Sequence, residues 1–170
     1  MYDRFGEFDS AEEINRTAAG LKEEGDTESI YILAEENGLD REDAEDYING
    51  DVPELANVLM AAYGKLNVEE GQLKPKDIMA DWIGYIRVRC AEEPAMAAAV
   101  RKKRKSLKGC IGELLKWSFK NQMPISDDIK KAAGVTEDRV TLGIPGIGTA
   151  KQIISDYYMG RQVRHEEETD

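Results

Sequence analysis

Apolar side chains return every three or four positions along most of this chain, and each run is bracketed by residues that start and stop helices. Leu55, Val58, Leu59, Ala62 and Tyr63 mark one face of a 3.6-residue period. Ile78, Met79, Trp82, Ile83 and Ile86 mark another, and Ile153, Ile154, Tyr157 and Tyr158 a third. A half-buried strand needs alternation with period two, and only Val140–Leu142 suits a brief pairing. The pattern predicts an all-α fold, a small helical bundle that admits division into two helical subdomains.

The capping residues place the elements. Ser10 followed by Glu13 is a capping box, predicting a helix that closes near Gly25. Thr27 caps a second helix closed by Asn37-Gly38, and Asp40 a third closed by Asn49-Gly50. Asp51, with Pro53 in the first turn, opens a fourth. Leu33–Ile48 has the outline of a helix-turn-helix. Its second helix carries Glu42, Asp43, Glu45 and Asp46, which would meet phosphates in a major groove, so it reads as a structural hairpin. Gly64–Pro75 reads as a connection. Helices follow from about Lys76 to Cys90, from Pro94 into the basic run, and across Ile111, Leu114, Leu115, Trp117 and Phe119, all assigned to the core with Trp82, Tyr157 and Tyr158. Ser126 caps Asp127–Ala133, Gly134 stops it, Val135–Val140 makes one more turn, and a last helix spans about Thr149 to Met159.

Charge divides the chain in the same place as the connection. The net charge is −11, but residues 1–70 hold 20 acids and 5 bases while residues 71–120 hold 5 acids and 12 bases. The expected organisation is an acidic helical region over 1–70, a basic-to-mixed helical domain over 71–160, and a polar, disordered tail over 161–170. Such asymmetry steers association and selects partners without dictating a fold. No run approaches the ~20 apolar residues of a membrane span, and the first residues lack the apolar core of a secretory signal. A cytoplasmic protein is expected, with Cys90 and Cys110 as buried, reduced thiols.

Catalysis needs a base near neutral pH and something for it to activate. The one histidine, His165, lies beside Glu166, Glu167 and Glu168 and reads as solvated. Gly143–Lys151 has the look of a phosphate loop, but lysine does not follow its last glycine directly, as the phosphate cradle requires. The expectation is a binding protein rather than an enzyme, with no catalytic residues, metal or cofactor.

Three segments are candidates for contact. Arg101, Lys102, Lys103, Arg104, Lys105 and Lys108 form a basic run with no acid between Glu93 and Glu113, read as a solvated helix face or as a contact with phosphate or an acidic partner. Glu42, Asp43, Glu45 and Asp46 form an acidic face, read as solvated or as a mimic of nucleic-acid charge that competes for a cationic channel. Gly146, Gly148, Thr149 and Lys151 open the last helix, whose backbone amides attract anions. That loop resembles the glycine hairpin of helix-hairpin-helix DNA-binding motifs, although Gln152 stands where the motif has a small residue.

Several stretches together carry a family resemblance. Trp82-Ile83-Gly84-Tyr85-Ile86, then Ala91 through Val100, then Lys105-Ser106-Leu107-Lys108-Gly109-Cys110-Ile111, and later Ile153-Ile154-Ser155-Asp156-Tyr157-Tyr158, resemble the PcfK-like proteins of Firmicutes conjugative and phage-like elements. That group overlaps a family of type II anti-CRISPR proteins. The resemblance covers roughly 76–158, leaving out the acidic first 70 residues and the loop Val140–Lys151. It implies a non-enzymatic inhibitor that binds an RNA-guided Cas nuclease of type II, alone or with its guide RNA. Such nucleases hold guide–target duplex in a positively charged channel. The alternative is a DNA- or RNA-binding accessory protein of the same kind of element.

Overall fold

The computed structural model describes residues 3–166. The last part of the expected tail, including Glu167 and Glu168, lies outside the described residues. The fold is predominantly helical, with nine helices and one two-stranded antiparallel pair among the described residues. It divides into two compact units, at Lys108 and Gly109.

The first unit holds α1 (Ala11–Glu23), α2 (Thr27–Glu36), α3 (Arg41–Asn49), α4 (Val58–Leu73), α5 (Ile78–Glu92) and α6 (Pro94–Arg101). Its caps are those that the residue types favour. The Ser10 hydroxyl accepts from the Glu13 amide, Asp26 from Ser29 and Asn57 from Met60, while Asp40 and Asp43 make a reciprocal box. Asn57, and not Asp51, therefore opens α4. Ile14, Ala18, Ile30, Leu33, Ala34, Ala44, Tyr47, Leu55 and Ala61 form one core, with Phe5 and Phe8 packed against it. Buried Glu36 pins that N-terminal segment by accepting the Arg4 and Phe5 amides at 2.7 and 3.0 Å.

The supposed connection over Gly64–Pro75 is mostly helix. α4 runs unbroken to Leu73, and the turn falls at 74–77, where Lys74 and Asp77 take φ of 49° and 53°. Gly64 is a crossing point instead of a break. A Cβ there would lie 2.1 Å from the Asn37 carbonyl oxygen, and one on Gly38 would lie 2.1 Å from the Gly64 carbonyl oxygen. Gly38 also needs its φ of 68°.

The second unit takes most of α7 (Leu107–Lys120), then β1 (Met123–Pro124), α8 (Asp127–Ala133), β2 (Thr141–Leu142) and α9 (Ile147–Tyr158). Met123 pairs with Leu142 and Pro124 with Thr141. Val135–Val140 is not a helical turn. The hydrophobic core residues come from α7 (Cys110, Leu114, Trp117) and α9 (Ala150, Ile153, Ile154, Tyr158), whereas Tyr157 and, in α5, Trp82 are only half-buried. Leu115 and Phe119, assigned to the core by spacing, are exposed. Cys90 and Cys110 are both buried, and burial pushes the Cys90 thiol up to about 11, which keeps it unreactive at neutral pH.

Candidate interaction surfaces

The basic run begins inside the protein. Arg101 is 1% exposed, and its guanidinium donates to the Phe8 carbonyl (3.1 Å), the Ala61 carbonyl (3.1 Å) and Asn37 Oδ1 (2.5 Å). This corrects its assignment as a partner contact. A planar donor fork can satisfy three converging acceptors at once, which no apolar residue at that position does.

Beyond Arg101 the backbone leaves the helix. The Lys105 amide donates to the Lys102 carbonyl at 3.0 Å, and the carbonyls of Lys102 and Lys105 both accept from the Lys65 ammonium, the second at 2.5 Å. Lys65 is 1% exposed, with Glu7 at 3.3 Å and Glu69 at 3.8 Å. Burial pulls the Lys65 ammonium below its ordinary pKa and pushes the Glu69 carboxyl above its own. Glu69 also accepts the Leu107 amide at 2.6 Å, where α7 starts. The backbone of the basic run thus wraps a buried cation, and its side chains divide. Lys103, Arg104 and Lys108 are exposed, while Lys102 and Lys105 are half-buried. Asp9 takes the Lys103 amide at 2.9 Å and lies 3.7 Å from the Lys102 ammonium; the amide bond holds its carboxyl below the ordinary value.

The acidic face of α3 is also partly committed. Asp43 closes the capping box, and Glu45 pairs with Arg41 at 3.3 Å. Glu42 and Asp46 are exposed. In the last candidate, α9 starts at Ile147 with Gly146 as its cap and no side chain over the first amides. Gly146, Gly148 and Lys151 lie on the surface and Thr149 is half-buried, and the apolar Ile147 beside them is 79% exposed. His165 is not solvated. Its side chain is 17% exposed against Glu113, and its carbonyl accepts from Asn121 Nδ2 at 2.6 Å.

A fourth surface is apolar. Leu115 and Phe119, one turn apart on α7, are exposed, Phe119 at 77%. The loop after β2 is seated against the C-terminal end of the same helix, because a Cβ on Gly143 would lie 2.0 Å from Gln122 Nε2 and 2.6 Å from the Ser118 carbonyl oxygen. Leu142 and Ile144 flank that glycine and are exposed, and Met123 stands opposite Leu142 in the strand pair. α8 buries none of its residues and leaves Ile129 in solvent. Helical spacing alone places Leu115 and Phe119 in the core with Leu114 and Trp117. A signal was available: Ile111, Leu114, Leu115, Trp117 and Phe119 span roughly 200° of the helix at ~100° per residue, about twice a core stripe.

The chain matches no protein-family model, no curated protein and no solved structure. None of the helices among the described residues is long and apolar enough to cross a membrane.

Proposed function

We propose that this protein acts by binding a protein partner through the apolar surface around Phe119, and that the partner is an RNA-guided Cas nuclease, which it inhibits. The observation that carries the binding reading is the ordered apolar surface that the second unit leaves uncovered: Leu115, Phe119, Met123, Leu142 and Ile144. Monomeric proteins seldom leave large apolar residues grouped in water, and aromatic and methionine side chains are enriched where partners bury each other. A phenylalanine standing out from a helix is suited to act as an anchor in a partner's pocket.

The nature of the partner is supported by the resemblance of residues 76–158 to the inhibitor group. Charge adds to it, because an acidic region approaches a cationic channel favourably. A second reading has its own support. Lys103, Arg104 and Lys108 are exposed within two turns of chain, an arrangement suited to phosphate contact in a DNA- or RNA-binding accessory protein.

The test is binding of the full chain to a type II Cas nuclease with and without guide RNA, beside DNA and RNA alone, across a salt series. Tight nuclease binding that Phe119→Asp or Ile144→Asp weakens, and that Lys103→Ser with Arg104→Ser does not, is the expected result. Binding to nucleic acid alone, steeply weakened by salt and by those serines, would replace it with the second reading.

A further inference from the structure

A separate surface on the first unit has the makings of a binding groove. α2 and the start of α3 border an open groove of about 640 Å3. Its floor is apolar, made by Tyr31, Ile32 and Leu39, all half-buried, with Tyr31 and Leu39 packing back onto the core. Glu28 and Glu35, both exposed, stand seven residues apart on α2, close to two turns, and so share one side of the helix.

One side chain already shows what the floor accepts. The Arg41 guanidinium lies 4.1 Å from the centre of the Tyr31 ring. An arginine over a tyrosine face is held by the ring quadrupole and by dispersion. Arg41 itself is an exposed side chain whose carboxylate partner is Glu45, so an incoming arginine held by further carboxylates can displace it at small cost. The setting favours such a cation, since residues 3–57 hold 18 acids and 4 bases.

We propose that this groove docks a cationic amphipathic segment of a partner protein. An arginine of the segment takes the Tyr31 face between Glu28 and Glu35, and a leucine-sized side chain covers Ile32 and Leu39. Both halves are required. The acids alone would attract any polycation, and the apolar floor alone would take any hydrophobe. Nucleic acid and acidic peptides meet a field of the wrong sign. The groove belongs to the first unit and the Phe119 surface to the second, and the proposal does not depend on the reading of that surface.

The test uses the full chain and a short synthetic peptide with arginine and leucine at helical spacing, followed by fluorescence anisotropy at physiological salt. Two control peptides replace its leucines by serine or its arginines by glutamate. The parent peptide is expected to bind, and Glu28→Gln with Glu35→Gln, or Tyr31→Ala, to weaken it about tenfold. The serine peptide should bind wild type about as weakly as the parent binds the Tyr31 variant. Tyr31 packs against the core, so the exposed glutamates and Ile32→Ser provide variants that keep the fold. Phe119→Asp is expected to leave peptide binding unchanged. Equal affinity for the leucine and serine peptides, or no effect of the two glutamines, would reduce the groove to a diffuse acidic surface and overturn the proposal. Loss of peptide binding in Phe119→Asp alone would place the peptide elsewhere and overturn it too.

Discussion

Arg101 and Lys65 bring two cations into the interior of a unit whose surface is acidic, and both hold backbone rather than reach outward. Replacing Arg101 by methionine keeps much of its volume but strands the Phe8 and Ala61 carbonyls and the Asn37 carboxamide without their donor. The expected loss is about 3–5 kcal/mol, the cost of breaking a buried charged network on one side. Urea unfolding should show it as a lowered midpoint at unchanged slope. Arg101→Lys should recover only part, because a point charge cannot reach three acceptors. Glu69 makes the pH signature of the same region. Burial raises its carboxyl above 4.5 in the folded protein, so the folded state holds that proton more tightly than the unfolded chain. Its contribution to stability is therefore full below 4.5 and is lost as pH rises through the raised value. Glu69→Gln keeps an acceptor for the Leu107 amide and removes the titration. Relative to that variant, wild type should gain stability as pH falls from neutral toward 4.5, followed by urea midpoints at stepped pH. A constant difference would mean that the carboxyl titrates normally.

At the level of the elements, two glycines on one helix separate packing from mere exposure. Gly64→Ala drives a Cβ to 2.1 Å from the Asn37 carbonyl oxygen, which no rotamer change can relieve. It should cost about 3 kcal/mol, at the upper end of overpacking, and disturb Arg101 through Asn37. Gly71→Ala, with open space around it, should instead stabilise α4 by about 0.5–1 kcal/mol. Chemical denaturation of the pair decides whether the α4 glycines act by close approach. The same contrast explains what the sequence could and could not convey. Caps are local chemistry, so Ser10, Asp40 and Ser126 mark their helices correctly, and Gly134 ends α8 with a φ of 69°. Gly64 misleads because a glycine needed for a long-range crossing has the same letter as one needed for a turn. The fate of Arg101 was legible, since Met96, Ala97, Val100 and Arg101 share one helical stripe and five consecutive cations cannot all lie on one face. Lys65 was not, because apart from Glu69 one turn away its partners come from residues near 7 and 105, far apart in the chain. The exposed apolar face of α7 is not marked by periodicity, because a second apolar stripe on a helix has the same spacing whether it is buried or exposed.

For the molecule as a whole, charge and exposed apolar area are concentrated in different parts of the chain, and that separation has a kinetic consequence. Residues 3–57 hold 18 acids and 4 bases, whereas residues 109–170 hold 10 acids and 8 bases together with the Phe119 surface. Long-range fields act during approach and are screened over a Debye length of about 10 Å at 0.1 M salt. Apolar burial acts only once surfaces touch, and so governs how long the complex lasts. With the Cas nuclease proposed as partner, Phe119→Asp should raise the dissociation rate about thirtyfold, as for loss of an anchor worth ~2 kcal/mol, and leave the association rate nearly unchanged. Glu28→Lys with Glu35→Lys should do the reverse, lowering the association rate about tenfold at low salt and flattening its salt dependence. Biosensor kinetics on both variants at several salt concentrations separate the two contributions. If Phe119→Asp slowed association and left dissociation alone, the apolar surface would not be what the partner buries, and binding would have to be assigned to the charged faces.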